Sequence, residues 1–367
     1  MVKKKTGIDN TLLICGLLLV STGIVMVYSS SAIVAQEKFQ NEYYFLKKQI
    51  LFALVGILMM VIVSKVDHRV YKKIPYLFLG MSFVSLIAVL LPGIGITAGG
   101  STRWLSLGMI SIQPSEFAKL ALIIYLAYSL AKKDQTIKKF SVGVLPHLII
   151  SGIMLALIII EPDMGTAMCI GAVVCILLFV AGVRIGHLFL IFLFTIPLVY
   201  FLIFNTPYRR QRIFAFLNPW EYANDSGFQV IQSLYAFGSG GIFGRGLGDG
   251  KQKLFYLPET HTDFIFSVIG EELGLLGVIV ILVIFAFLIY RGIMISVRTP
   301  DLFSMYLALG ITSLIGLQAI IHMGVTLGLL PTKGIPLPLV SYGGSSLLTS
   351  LVALGILMNI SSFARKG

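Results

Sequence analysis

Apolar residues along this chain come in unbroken runs of about twenty, the length that crosses a bilayer as a helix. They do not alternate with polar residues, so the runs predict helices rather than strands. The spans fall near 11–32, 49–66, 74–92, 114–131, 143–160, 165–183, 187–204, 264–290, 302–327 and 341–360. The turn from Glu161 to Gly165 separates two of them, because one merged helix would far exceed a bilayer. The pattern predicts an all-α integral membrane protein of about ten transmembrane helices, forming one domain over residues 1–367. A long extracellular loop is expected between the seventh and eighth helices.

Two polar or irregular segments interrupt this regularity. Residues 205–262 form the long loop, with Phe214, Phe216, Trp220, Tyr222 and Phe228 and a glycine cluster from Gly238 to Gly250. A loop of that length with so many aromatics is expected to be ordered, partly interfacial, and one wall of an outward-facing site. GRGLG has no strand before it and no βαβ unit around it, so a dinucleotide loop is rejected. The second segment, 328–340, carries Pro331, Pro336 and Pro338, which forbid continuous helix. Irregular backbone at that depth must be buried in protein or line a cavity.

Composition agrees with the pattern: 57% of residues are hydrophobic, 12% are charged, and the mean hydropathy is +0.94. A soluble chain has roughly a quarter charged residues. The net charge of +12 does not mark a nucleic-acid binder, because most Lys and Arg sit in short loops beside apolar runs. Lys3, Lys4, Lys5, Lys65, Arg69, Lys72, Lys73, Lys132, Lys133, Lys138, Lys139, Arg184, Arg291, Arg298, Arg365 and Lys366 fall on the side of the N-terminus. Lys38, Lys47, Lys48, Arg103 and Lys333 fall in the opposite short loops. That bias places both termini in the cytoplasm. The long loop is an exception, with Arg209, Arg210, Arg212, Arg245, Lys251 and Lys253, but long loops are weakly bound by the charge rule. The N-terminus imitates a signal peptide, yet its apolar run is long and more spans follow, so it reads as an uncleaved first helix. Cys15, Cys169 and Cys175 lie inside apolar runs without ligand spacing and read as small core residues.

Ionisable residues in or beside spans are the candidates for chemistry. Asp263 stands in ETHTDFIF, where the long loop enters a span. Partial desolvation there would raise its pKa and suit a base. A helix N-cap is the competing reading, since Thr262 and Asp263 both suit one. Glu116 and Lys119 are one helical turn apart and can pair, either as a structural ion pair or as part of a site. Asp163 in EPDMG can cap the next helix or serve the site. Arg209, Arg210 and Arg212 suit an anionic headgroup or diphosphate, or a solvated face. His261 has no ligand partner at helical spacing, which argues against a protein-only zinc site. Glu271 and Glu272 lie deeper in the same span.

Five segments together carry a resemblance: IQPSEFAKLALI (Ile112–Ile123), EPDMGTA (Glu161–Ala167), NPWEYANDSGFQVIQSLYAFGSGGIFGRGLG (Asn218–Gly248), LPETHTDFIFSVIGEELG (Leu257–Gly274) and GLLPTKGIPLPLVSYGGSS (Gly328–Ser346). In this order the chain resembles the SEDS family (shape, elongation, division and sporulation) from its first span to its last. It is closest to the FtsW/SpoVE branch, with LLPTKG on the FtsW side. The resemblance implies polymerisation of lipid II into peptidoglycan glycan strands at the outer face of the cytoplasmic membrane. It also implies a class B penicillin-binding protein as partner, among other divisome membrane proteins, and a role in division or sporulation. The family's essential acidic position matches Asp263. Its acidic and basic pair on the QPSEFAKL helix matches Glu116 and Lys119, its P-D-x-G aspartate matches Asp163, and its R-W pattern matches Arg103. His261 departs from the family pattern and is given no catalytic role.

The chemistry implied is an inverting transfer. Asp263 takes the proton of the acceptor sugar's 4-hydroxyl, and cations neutralise the departing undecaprenyl diphosphate. Arg103, Lys119 and the loop arginines are candidates for that charge, as is a bound Mg²⁺ or Mn²⁺ for which Asp263 would be a ligand. No organic cofactor is expected. A lipid II flippase is the alternative and would need a polar path across the bilayer, which Glu271 and Glu272 would begin. A non-catalytic divisome scaffold is a third reading, and it leaves Asp263 and the Glu116–Lys119 pair without a purpose.

Overall fold

Every apolar run forms a helix. The computed structural model describes residues 7–98, 101–108, 110–251 and 260–364. Lys3, Lys4, Lys5, Lys253, Arg365 and Lys366, which contribute to the charge pattern, and part of the Leu257–Gly274 motif lie outside them. The helices matching the ten spans are α1 (Asn10–Phe39), α2 (Tyr44–Lys65), α3 (Pro75–Leu90), α4 (Pro114–Lys132), α5 (Leu145–Ile160), α6 (Met164–Val180), α7 (Ile185–Phe204), α10 (Ile265–Arg298), α11 (Leu302–Thr326) and α12 (Gly344–Ser361). Seven helical segments are long and apolar enough to cross a membrane, and two shorter apolar ones, Pro75–Leu90 and Met164–Val180, accompany them. The long loop contributes α8 (Pro207–Leu217) and α9 (Phe228–Gly240).

The outer surface confirms a lipid environment. Val84, Phe194 and Ile185 expose 67%, 74% and 76% of their area. Water would not tolerate so broad an apolar surface. On α7 the one buried side chain is Leu188, whereas α11 and α12 are largely buried. Small residues let the central helices meet closely. A Cβ on Gly355 of α12 would stand 2.6 Å from the Met60 carbonyl of α2.

Three features go beyond the predicted helices. A three-stranded antiparallel sheet, β1 (Gly95–Ala98), β2 (Ser101–Leu107) and β3 (Ile110–Ile112), fills the α3–α4 connection. Helices α1 and α10 run well past the predicted ends at residues 32 and 290. The third feature is a break in α10, where Gly274 adopts φ 67° and ψ −166°.

That break explains the glycine cluster. The broken turn leaves backbone groups that must find partners. Arg245 N donates to Glu271 O at 3.0 Å and Gly246 N to Glu272 O at 3.1 Å; Leu275 N donates to Gly241 O at 2.9 Å and Leu276 N to Ile242 O at 3.2 Å. The two chains lie so close that a Cβ on Gly244 would stand 2.1 Å from Glu272 O. The glycines therefore serve backbone contact. Helix α9 is held to α10 and α11 by Ser233 Oγ, which contacts Ser267 Oγ at 2.6 Å and donates to Thr326 O at 2.5 Å.

Candidate functional site

The prolines of the second irregular segment remove helix between α11 and α12 and leave an extended strap, residues 331–343. Its buried backbone is satisfied from four sides, as apolar surroundings require. Tyr342 N donates to His261 O at 2.9 Å. Ser341 Oγ donates to Thr262 O at 2.7 Å and accepts from Leu337 N at 2.9 Å. His322 Nδ1 of α11 donates to Ile335 O at 2.8 Å. Arg212 of α8 donates from Nη1 to Thr332 O at 3.2 Å. The strap is thus tied to the turn before α10, to α11 and to the long loop.

Asp263 belongs to that turn. The N-cap of α10 is Phe264, which makes no side-chain capping bond. Asp263 therefore lies outside the capping position. It is half-buried and faces the strap, for a Cβ on Gly334 would stand 3.3 Å from its Oδ2. Phe45, His261 and Tyr342 pack together beside it, with ring centres 4.6 to 5.5 Å apart.

Lys333 flanks Gly334 and points toward α6, with Nζ 2.8 Å from Met168 Sδ. Burial pushes its pKa down from the usual lysine value. Sequence reading placed Lys333 only among the loop charges. Its signal was a lone lysine inside a proline-rich apolar segment. The next strap residue, Ile335, packs on Gly165 of α6, whose Cβ position lies 3.1 Å from Ile335 Cγ1.

Gly165 follows the α5–α6 turn, where a second group of charges meets. Arg103 on β2 donates from Nε to Glu161 O at 2.9 Å and from Nη2 to Pro162 O at 2.5 Å. The sheet therefore has a purpose: it delivers a guanidinium to this turn. Asp163 caps α6, with Oδ1 accepting from Thr166 N at 3.1 Å, while Oδ2 accepts from Gln113 Nε2 at 3.4 Å. Gln113 N in turn donates to Ser345 Oγ of α12 at 3.1 Å. Glu161 is fully buried. Burial first, and then the Asp163 charge, push its carboxyl up to about 8, with Arg103 opposing. Neither of its carboxyl oxygens has a hydrogen-bond partner among the described residues. Sequence reading passed over this residue in favour of Asp163.

Glu116 and Lys119 form the expected pair, Nζ to Oε1 at 2.6 Å, with both side chains at most 5% exposed. The loop arginines divide. Arg212 reaches the strap and stacks on Tyr208, its guanidinium 4.4 Å from the ring centre. Arg209 Nη1 turns back to Leu202 O at 3.2 Å, and Arg210 is exposed. Deeper in α10, Glu272 accepts from Ser29 Oγ at 2.6 and 2.7 Å, and Glu271 accepts from Lys251 N at 2.8 Å. Among the described residues no three His, Cys, Asp or Glu side chains converge as metal ligands.

Chemically, the arrangement offers one half-buried carboxylate facing a strap that carries a lysine and receives an arginine. A second cluster of Arg103, Glu161 and Asp163 stands across α6. Such a set suits deprotonation of a hydroxyl beside stabilisation of an anionic leaving group.

The chain is similar to known proteins over almost all its length. A family model described as cell cycle protein, covering FtsW, RodA and SpoVE, matches residues 9–366. The probable peptidoglycan glycosyltransferase FtsW of Geobacter metallireducens is 47% identical over 354 residues, 96% of this chain and 94% of that one. Stage V sporulation protein E of Bacillus subtilis is 46% identical over 367 residues, 100% of each chain. A chain of a solved peptidoglycan synthase complex, described as coordinating polymerization and crosslinking, superposes with a TM-score of 0.79 at 28% identity, covering 96% of this chain and 97% of that one. The rod shape determining protein RodA of Thermus thermophilus superposes with a TM-score of 0.69 at 25% identity, covering 98% of each.

Proposed function

Because this chain belongs to the FtsW, RodA and SpoVE family of cell cycle proteins, we propose that it is a peptidoglycan glycosyltransferase polymerising lipid II into glycan strands, with Asp263 as general base. The observation that carries the reading is the carboxylate of Asp263 set against Gly334 of the strap, in a chain whose full-length relatives are named glycosyltransferases.

The acceptor's 4-hydroxyl gives its proton to Asp263 as its oxygen bonds to the anomeric carbon of the donor. The bond from that carbon to the diphosphate breaks, and undecaprenyl diphosphate leaves with the electron pair. One displacement inverts the α donor to a β-1,4 link and needs no carboxylate nucleophile. A diphosphate leaves readily once its charge is neutralised. Arg212, which donates to Thr332 O, and Lys333 bring cations to the strap, and Arg209 and Arg210 lie on the same helix as Arg212. Arg103, Asp163 and the Glu116–Lys119 pair position the second side of the site. A divalent ion held at Asp263 would add positive charge for the departing diphosphate; no step here uses one.

Lipid-linked substrates keep their tails in the bilayer while their sugars reach a site at its surface. The apolar runs favour about ten crossings, and the charge pattern of the short loops favours both termini in the cytoplasm and the 205–262 loop outside. The similarity to a chain of a peptidoglycan synthase complex supports a transpeptidase partner, a class B penicillin-binding protein. The test is the purified chain, with and without that partner, given fluorescent lipid II. Glycan polymer resolved on a gel is expected. Lipid II translocation in proteoliposomes without polymer would contradict the reading and favour a flippase.

A further inference from the structure

The end of the bundle that carries both termini holds a cavity of about 280 Å³ between the start of α1 and the end of α10. Asp9, Arg291, Met294, Ile295, Arg298 and Ser361 line it. On α10 those residues fall at spacings of three, four and seven, so they form one stripe: cation, two apolar residues, cation.

Depth gives the stripe its meaning. From Leu273 to Tyr290, α10 carries no charged side chain. Beyond the break at Gly274, the helix from Leu275 to Tyr290 rises ~24 Å at ~1.5 Å per residue, most of the ~30 Å core of a bilayer. Arg291 therefore stands at the hydrocarbon boundary, and Arg298 stands ~10 Å further out, in the headgroup layer. The two arginines meet different partners accordingly. Arg291 is bound to Asp9, with Nε at 2.9 Å from Oδ2 and Nη2 on the same oxygen. Asp9 is nearly buried and also accepts from Thr11 N and Leu12 N. Its own N–H donates to Ser361 Oγ at 3.0 Å. Asp9 is the one acidic residue in the lining, and its charge is consumed in this way. Arg298 is exposed and forms no salt bridge among the described residues. The cavity is left with a net positive charge at phosphate depth.

On the hydrocarbon side of Arg291, Phe287 and Val283, four and eight residues back along the same stripe, turn apolar surface outward, 54% and 45% exposed, at the depth where acyl chains lie. We propose that this cavity binds the phosphate of an anionic phospholipid in the leaflet on the side of both termini. Arg298 is the direct ligand, and Arg291, braced by Asp9, shapes the wall. A free phosphate offers the same chemistry, but it would leave the apolar flank unused. Bound there, the lipid joins α1 to α10.

The experiment uses the full chain in neutral detergent with phosphatidylglycerol, phosphatidylcholine or inorganic phosphate. Thermal unfolding and native mass spectrometry are the readouts. Phosphatidylglycerol should raise the unfolding midpoint by several degrees and stay bound, while phosphatidylcholine and phosphate should do neither. Arg298→Gln should lower retained phosphatidylglycerol about tenfold, the loss expected of one charge-assisted hydrogen bond. Arg298→Lys should keep part of it. Arg184→Gln, which removes a same-side arginine outside the cavity, should change nothing. Equal stabilisation by both lipids, undiminished retention in Arg298→Gln, or protection by phosphate alone would each overturn the proposal.

Discussion

Glu161 is a carboxyl buried beside another carboxylate, and that environment determines its titration. Its pKa rises from 4.5 to about 8, so the folded protein holds a proton that the unfolded chain releases. Stability from this group is therefore complete below pH 4.5 and declines as pH rises toward about 8. Glu161→Gln keeps the neutral shape and removes the titration. The variant should match the wild type near pH 5, exceed it in unfolding midpoint at pH 8–9, and flatten the pH dependence between; an unchanged wild-type slope would refute the assignment. Glu116 and Lys119 present a different case. Removing either partner strands a buried charge and should cost ~3–5 kcal/mol, whereas an apolar or neutral replacement of both is nearly neutral. The double variant Glu116→Gln with Lys119→Met should therefore recover the unfolding midpoint lost in either single variant. If the pair serves the site, glycan synthesis should stay impaired in that stable double variant; recovered synthesis would make the pair purely structural. Asp263 was legible as a carboxylate at the mouth of a span, because charge at that boundary is costly. Glu161 and Lys333 were not, because their importance lies in neighbours that only folding brings together: Arg103 from a sheet, and Gly165 and Met168 from another helix.

At the scale of elements, the sequence pattern resolved the apolar helices and missed everything built from backbone pairing. Runs of apolar residues announce helices through composition alone. The sheet between α3 and α4 is three short strands, too brief to impose a period. Helices α8 and α9 were hidden inside a loop whose aromatics and arginines dominated the reading. The ends of α1 and α10 were placed short because hydropathy stops where a helix leaves lipid, not where it stops being helix. The glycine cluster carried a signal that was easy to detect and hard to interpret, since its use is to approach the broken turn of α10. Gly244 has φ 79°, and a Cβ there would meet the Glu272 carbonyl. Gly244→Ala should cost at least ~1–3 kcal/mol from backbone strain and lower the unfolding midpoint. Gly238→Ala, with open space around it inside α9, should not. Equal midpoints for the two variants would contradict the clamp.

For the whole molecule, the arrangement is a helical bundle with Asp263 and the strap toward one end, and the start of α1 and the end of α12 together at the other. The contact between Asp9 and Ser361 holds the two chain ends on the same side. Asn224, exposed in the long loop, lies in the segment assigned to the outer side. A cysteine substituted there should react with an impermeant reagent in intact spheroplasts; reaction only after permeabilisation would invert the orientation. Asp263 faces Gly334 of the strap, and the strap packs on Gly165 at the start of α6; the proposed chemistry needs Asp263 to act there as a base. The most direct measurement compares wild type and Asp263→Asn on fluorescent lipid II, with partner co-purification as the control for folding. Asparagine keeps the size and removes the proton acceptor, so synthesis should fall by ~10²–10⁴-fold, the usual contribution of a general base, while partner binding is retained. Near-normal glycan synthesis by a partner-bound Asp263→Asn protein would contradict the account.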